Sequence, residues 1–301
     1  MRGAAALYVG LGVLQRALNL LLLPFVTRSM SVEEYGMTSL LVAGAALLNI
    51  VLSLAAEPTV VSASVRAPTD PAELTLLRAA RRVLLFGAPA AGVALAAICW
   101  AAEQPVFGVP AHLWSIEIVA MGLAVFAQTY ALPRLRVQLR LKAFAVVSLA
   151  TIGATIVGKL VLVVMVPLGA LGWVLADLGA GAAAIFAAVI VLRNDRLGRG
   201  PLDFSRFFRL SIPLIPHLGS LWIIGSIRLP LVEATQSLQD VGLFAAAASA
   251  GSLPMILALE VNRASSVEYA HDRFPAPSPR SGAAMSLQLS FAVLLVVGLC
   301  A

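Results

Sequence analysis

Residues 23–37 read LPFVTRSMSVEEYGM, and residues 229–243 read LPLVEATQSLQDVGL. The two align without a gap at an offset of 206, pairing Leu23 with Leu229, Pro24 with Pro230, Val26 with Val232, Ser31 with Ser237 and Gly36 with Gly242. Glu33-Glu34 becomes Gln239-Asp240, a conservative exchange. In each copy the serine and the acid three residues on have the spacing of a capping box. The hydroxyl satisfies free N–H groups where a helix starts, and the acid sits at the positive end of the helix dipole. The glycine two residues later lets the new helix pack closely on a neighbour. Each copy therefore predicts the end of one helix, a tight turn and the start of the next.

The sequence on either side is apolar. Of 301 residues, 60% are hydrophobic and only 12% are charged, where a soluble domain is about half apolar and a quarter charged. The apolar stretches are long and do not alternate, so they fit helices crossing roughly 30 Å of hydrocarbon rather than barrel strands. Nine spans are expected, over about residues 4–26, 35–55, 83–101, 113–132, 144–166, 171–192, 210–232, 241–259 and 284–300. The first is read as a span and not a cleaved signal, because Arg16 interrupts it and no small-residue cleavage site follows.

Loop charges give an independent check. With the N-terminus in the cytoplasm, the cytoplasmic loops and tail hold 17 of the 21 basic residues, and the opposite loops hold only Arg28. This is the asymmetry of the positive-inside rule. It assigns the basic runs to topology, so the net charge of +6 does not point to nucleic acid.

Six spans separate the two copies of the repeat, an even number, so both copies point the same way. That predicts a parallel repeat of two six-helix lobes. The expected division is a first six-helix lobe over residues 1–192, a cytoplasmic connector over 193–209, and the first three helices of a second lobe over 210–301. Completing that lobe would take three further spans, about 100 residues with their loops. A complete nine-span chain is the alternative.

QRALNLLLLPFVTRSMSVEEYG near the start, FFRLSIPLIPHLGSLWIIGSIR at the head of the second lobe, QDVGLFAAAAS opening the eighth span and LRVQLRLKAFAVVS after the fourth carry a resemblance. Together they resemble the polysaccharide flippases, the Wzx-like lipid-linked oligosaccharide translocases of the multidrug/oligosaccharidyl-lipid/polysaccharide exporter superfamily. The resemblance implies two bundles around a central cavity, alternating access to move an undecaprenyl-pyrophosphate-linked glycan across the inner membrane. Its implied partners are that glycan, membrane lipids and other membrane proteins of polysaccharide assembly. The family's seventh span commonly carries an Asp-Arg pair; here the residues are Ile227-Arg228, without the acid.

Charges inside spans cost about 2.5–3.5 kcal/mol each on insertion scales and are functional candidates for that reason. Arg16, flanked by Gln15 and Asn19, lies near the middle of the first span, and Lys159 and Arg228 lie in the outer halves of the fifth and seventh. Cations facing a wet cavity suit a pyrophosphate, replacing part of its lost solvation. Arg16 and Arg228, on the corresponding first helices of the two lobes, would face each other across that cavity. Lys159 has two other readings: it can reach the interface by snorkelling, or pair with Asp177 at similar depth on the next span. Asn49 reads as an interhelical hydrogen-bonder, Glu57 as interfacial, and Pro213 and Pro216 as a bend in the seventh span.

No cofactor, metal set or enzymatic constellation is expected. His112, His217 and His271 are scattered, Cys99 and Cys300 fall in apolar segments, and no nucleotide-binding loop or nucleophile–base pair is present. The competing readings are a drug/cation antiporter of the same superfamily, which should present acids in its spans, and a non-transporting membrane scaffold. A glycan polymerase would need a larger outer loop than the spacing of these spans leaves.

Overall fold

A computed structural model describes residues 28–193, 195 and 200–251, together with 14, 22 and 24–26. Among these the regular structure is helical, and β pairing is confined to a bridge between Val106 and Val109. The helices are α1 (Val32–Leu52), α2 (Glu57–Arg66), α3 (Pro71–Ala102), α4 (Ala111–Val137), α5 (Leu141–Met165), α6 (Gly169–Val191), α7 (Phe204–Ser226), α8 (Arg228–Thr235) and α9 (Leu238–Gly251). Six of them, α1 and α3 to α7, are long and apolar enough to cross a membrane. They lie in one compact unit, Leu22–Ala246. The expected first and ninth spans and the second half of the eighth lie almost wholly outside the described residues.

Each expected span from the second to the sixth lies on one of α1 and α3 to α6, with shifted ends. Helix α3 starts at Pro71, well before the expected 83, because Asp70 caps it by accepting from the Ala72 N–H at 2.9 Å. Its first three turns carry Arg78, Arg81 and Arg82, so they are helical without being apolar. Helix α4 runs on to Val137 and takes Arg134 and Arg136 into its last turns. The seventh span is broken. Its helix stops at Ser211 and restarts at Leu214, where Pro213 and Pro216 remove donors and crowd the carbonyls before them. A second break at Ile227 separates α8.

Among the described residues, three spans contain a widened, π-helical turn: Val83–Gly87 in α3, Phe126–Ala131 in α4 and Leu160–Met165 in α5. The first two end two residues before Pro89 and Pro133. A proline ring clashes with the carbonyl four residues back, and a wider turn there moves that carbonyl aside without ending the helix. The third directly follows Lys159. Helix α4 is the most deeply buried span and packs on α1, α3 and α6; α6 in turn packs on α5.

Both copies of the repeat form capping boxes. The Glu34 N–H donates to Ser31 Oγ at 3.1 Å while the Ser31 N–H donates to Glu34 Oε2 at 3.0 Å. The Asp240 N–H donates to Ser237 Oγ at 3.2 Å and the Ser237 N–H to Asp240 Oδ2 at 3.2 Å. The Ser237 side chain and N–H hold the exposed Asp240 carboxyl below its ordinary range. The two capped helix starts then cross. A Cβ on Gly36 would collide with the Leu238 carbonyl, and a Cβ on Gly242 with the Val32 carbonyl. Leu238 is Val32 displaced by the repeat offset of 206, so the contact is reciprocal and locally two-fold.

Candidate functional site

A cluster of charges inside the spans comes from three neighbouring helices. Glu117 lies on α4, Lys159 on α5 and Asp177 on α6. Counted along each helix from Ala111, Met165 and Gly169, they are six to eight residues in, about 9–12 Å from the same end of the bundle. Close packing brings α5 to α6: a Cβ on Gly158 would stand 2.9 Å from that of Ala176. The neighbouring residues therefore meet. Lys159 Nζ lies 3.2 Å from Asp177 Oδ1 and 3.4 Å from the centroid of the Trp173 ring, a cation held between a carboxylate and an aromatic face.

Lys159 and Glu117 are each 2% exposed, and the Asp177 side chain 20%. Glu117 feels the charges of both Asp177 and Lys159. Among the described residues its Oε2 atom has no hydrogen-bond partner, nor has the buried Trp173 Nε1. A buried carboxylate oxygen without a partner is costly, so such an atom calls for an explanation.

Of the residues singled out from the sequence, Gln15, Arg16 and Asn19 lie outside the described residues. Arg228 opens α8 at the break after Ile227; it is exposed, with its guanidinium 5.8 Å from the centroid of the Phe244 ring. Lys159 is turned inward to Asp177 instead of snorkelling to the end of its helix. Asn49 donates to Gln128 Oε1 at 3.1 Å, linking α1 to α4. Among the described residues no three His, Cys, Asp or Glu are placed to hold a metal. Glu117 is the residue the sequence reading missed. Its signal was an ionisable side chain inside the apolar run LWSIEIVAMGL, the same insertion cost that singled out the cations.

At the arginine-rich end a second set of charges is paired. Arg134 Nε and Nη2 donate to the two carboxylate oxygens of Asp195 at 2.7 and 3.2 Å, with both side chains about 95% buried. Glu73 on α3 accepts from Arg206 of α7 at 2.7 Å and lies 3.8 Å from Arg66 of α2. Ser211 donates to Thr59 at 3.3 Å. This corrects the purely topological role given to Arg66, Arg134 and Arg206, since each ties the expected connector or a neighbouring helix into the bundle. Asp195→Asn is expected to destabilise the protein by about 3–5 kcal/mol, because it strands a buried guanidinium. Arg134→Met with Asp195→Leu should recover most of that loss, as read by thermal unfolding in detergent; a double variant as unstable as the single would contradict it.

These features define the class: a multi-pass α-helical membrane protein with a buried ionic cluster inside its spans. No protein family, curated protein or solved structure matches the chain.

Proposed function

We propose that this chain is a membrane transporter built as a parallel repeat, and that it flips a pyrophosphate-linked lipid glycan across a bacterial inner membrane. In this reading the N-terminus is cytoplasmic, nine spans cross the bilayer, and residues 1–192 and 210–301 belong to two lobes. The observation that carries it is the reciprocal crossing of Gly36 and Gly242. Two copies of one motif meeting across a local two-fold are what a parallel transporter repeat requires, and the outer end is where such lobes would close against each other. Arg228, exposed beside that crossing, is the cation offered to a pyrophosphate, with Arg16 as its expected counterpart.

A second reading is favoured by one observation. The buried cluster holds two acids and one base, the acid majority expected of a drug/cation antiporter. One experiment separates the two. Cells lacking the gene, complemented with the full-length chain, should export surface glycan, and Arg228→Glu should abolish export while the protein remains inserted, with Arg228→Lys milder. Normal glycan export in the deletion strain together with new sensitivity to cationic dyes would favour the antiporter. Full export by a well-inserted Arg228→Glu variant would remove the anion site.

A further inference from the structure

The cluster of Glu117, Lys159 and Asp177 presents a problem of charge. Two carboxylates and one ammonium sum to one negative charge, and burial in a bilayer penalises an uncompensated charge by several kcal/mol. Asp177 takes the ammonium at 3.2 Å and is the more exposed of the two acids. Glu117 is sealed at 2% exposure with Oε2 unpartnered. One positive charge would complete the cluster, at an oxygen that no described donor reaches.

The surroundings narrow the choice. Helix α1 carries its titratable groups, Glu33, Glu34 and Tyr35, in its first turn. Helix α3 brings Cys99, whose thiol is turned to the Ala111 carbonyl at 3.7 Å. Helix α4 itself carries the exposed His112 more than a turn away. Helix α6 brings Asp177, and α5 behind it Lys159. A sodium or potassium ion needs several oxygen ligands, whereas a proton needs only one. The third π-helical turn begins at the residue after Lys159, and such turns recur at functional sites.

We propose that Glu117 is a reversible proton-binding site. Its carboxylate takes one proton from water, forming a neutral carboxylic acid, and returns it to water when the ammonium of Lys159 moves from Asp177 to Glu117. The single lysine cannot neutralise both acids, so proton occupancy and lysine position are exclusive and together make a two-state element. The use of that element to drive a cycle rests on the transport reading above; the site itself does not.

The test is therefore made on proton binding and not on transport. The full chain, purified in detergent, is titrated while infrared difference spectra follow the carbonyl band of protonated carboxyl groups. The charge count sets the expected result: one buried protonated carboxyl per chain at neutral pH in the wild type, and none in Glu117→Gln or Asp177→Asn. Lys159→Met should show two; if it does not fold, the Gln and Asn variants still decide. Equal band intensity in wild type and Glu117→Gln would overturn the assignment. So would loss of the wild-type band when choline chloride is replaced by sodium or potassium chloride, which would make this a metal-cation site. A band that behaves as expected in a protein that moves neither glycan nor dye would leave the site standing and remove only the transport reading.

Discussion

Gly36→Ala and Gly242→Ala should each destabilise the protein by about 1–3 kcal/mol, by nearly equal amounts, and the double variant by much less than their sum. Each added methyl meets a backbone carbonyl, Leu238 for Gly36 and Val32 for Gly242, and a carbonyl within a helix start cannot rotate away as a side chain can. The helices must separate instead. Once one methyl has opened the crossing, the second enters space already made, so the coupling energy should be large and opposite in sign to the single losses. The near-equality follows from the two-fold: each glycine faces the carbonyl equivalent to the one its partner faces. Denaturation of the four proteins in mixed micelles measures the cycle. Strict additivity would mean two unrelated close contacts and would end the case for a symmetric crossing. Larger substitutions such as Gly36→Leu should prevent the folded state from accumulating.

The crossing was half legible in the sequence. Ser31 with Glu34 and Ser237 with Asp240 announce helix starts, because capping depends on residue types at fixed spacing. Gly36 and Gly242 announce close packing but not its partner, and nothing local says that each copy packs on the other. The positions of the second to sixth spans were legible for the same local reason, since apolar length decides them. Span ends were not. The first turns of α3 and the last turns of α4 are polar enough to look like loops, yet Asp70 and the buried Arg134–Asp195 pair keep them helical. The π-helical turns of α3 and α4 have a visible cause in Pro89 and Pro133, whereas the turn after Lys159 has none in the sequence. Glu117 was legible as a charge in an apolar run. Its meaning was not, because that depends on Lys159 and Asp177 arriving from two other helices.

Removing Lys159 should have the other large effect. Lys159→Met leaves Glu117 and Asp177 in the cluster without their cation, where like charges cannot both ionise cheaply. The expected loss is about 3–5 kcal/mol, the usual cost of breaking a buried pair from one side, seen as a lower unfolding temperature and poor insertion at neutral pH. Acidification should recover part of it, since the folded variant holds two protons that the unfolded chain releases at neutral pH. Lys159→Met combined with Asp177→Asn removes both halves of the 3.2 Å pair and leaves Glu117 to be neutralised by a proton. That double variant should fold about as well as the wild type. If the pair serves only to hold α5 against α6, the double variant will also transport normally. If the lysine must travel between two acids, it will be folded and inactive, because no charge remains to exchange with the proton on Glu117. We expect the second outcome, measured as export or dye efflux normalised to inserted protein; full activity in the folded double variant would reduce the cluster to packing.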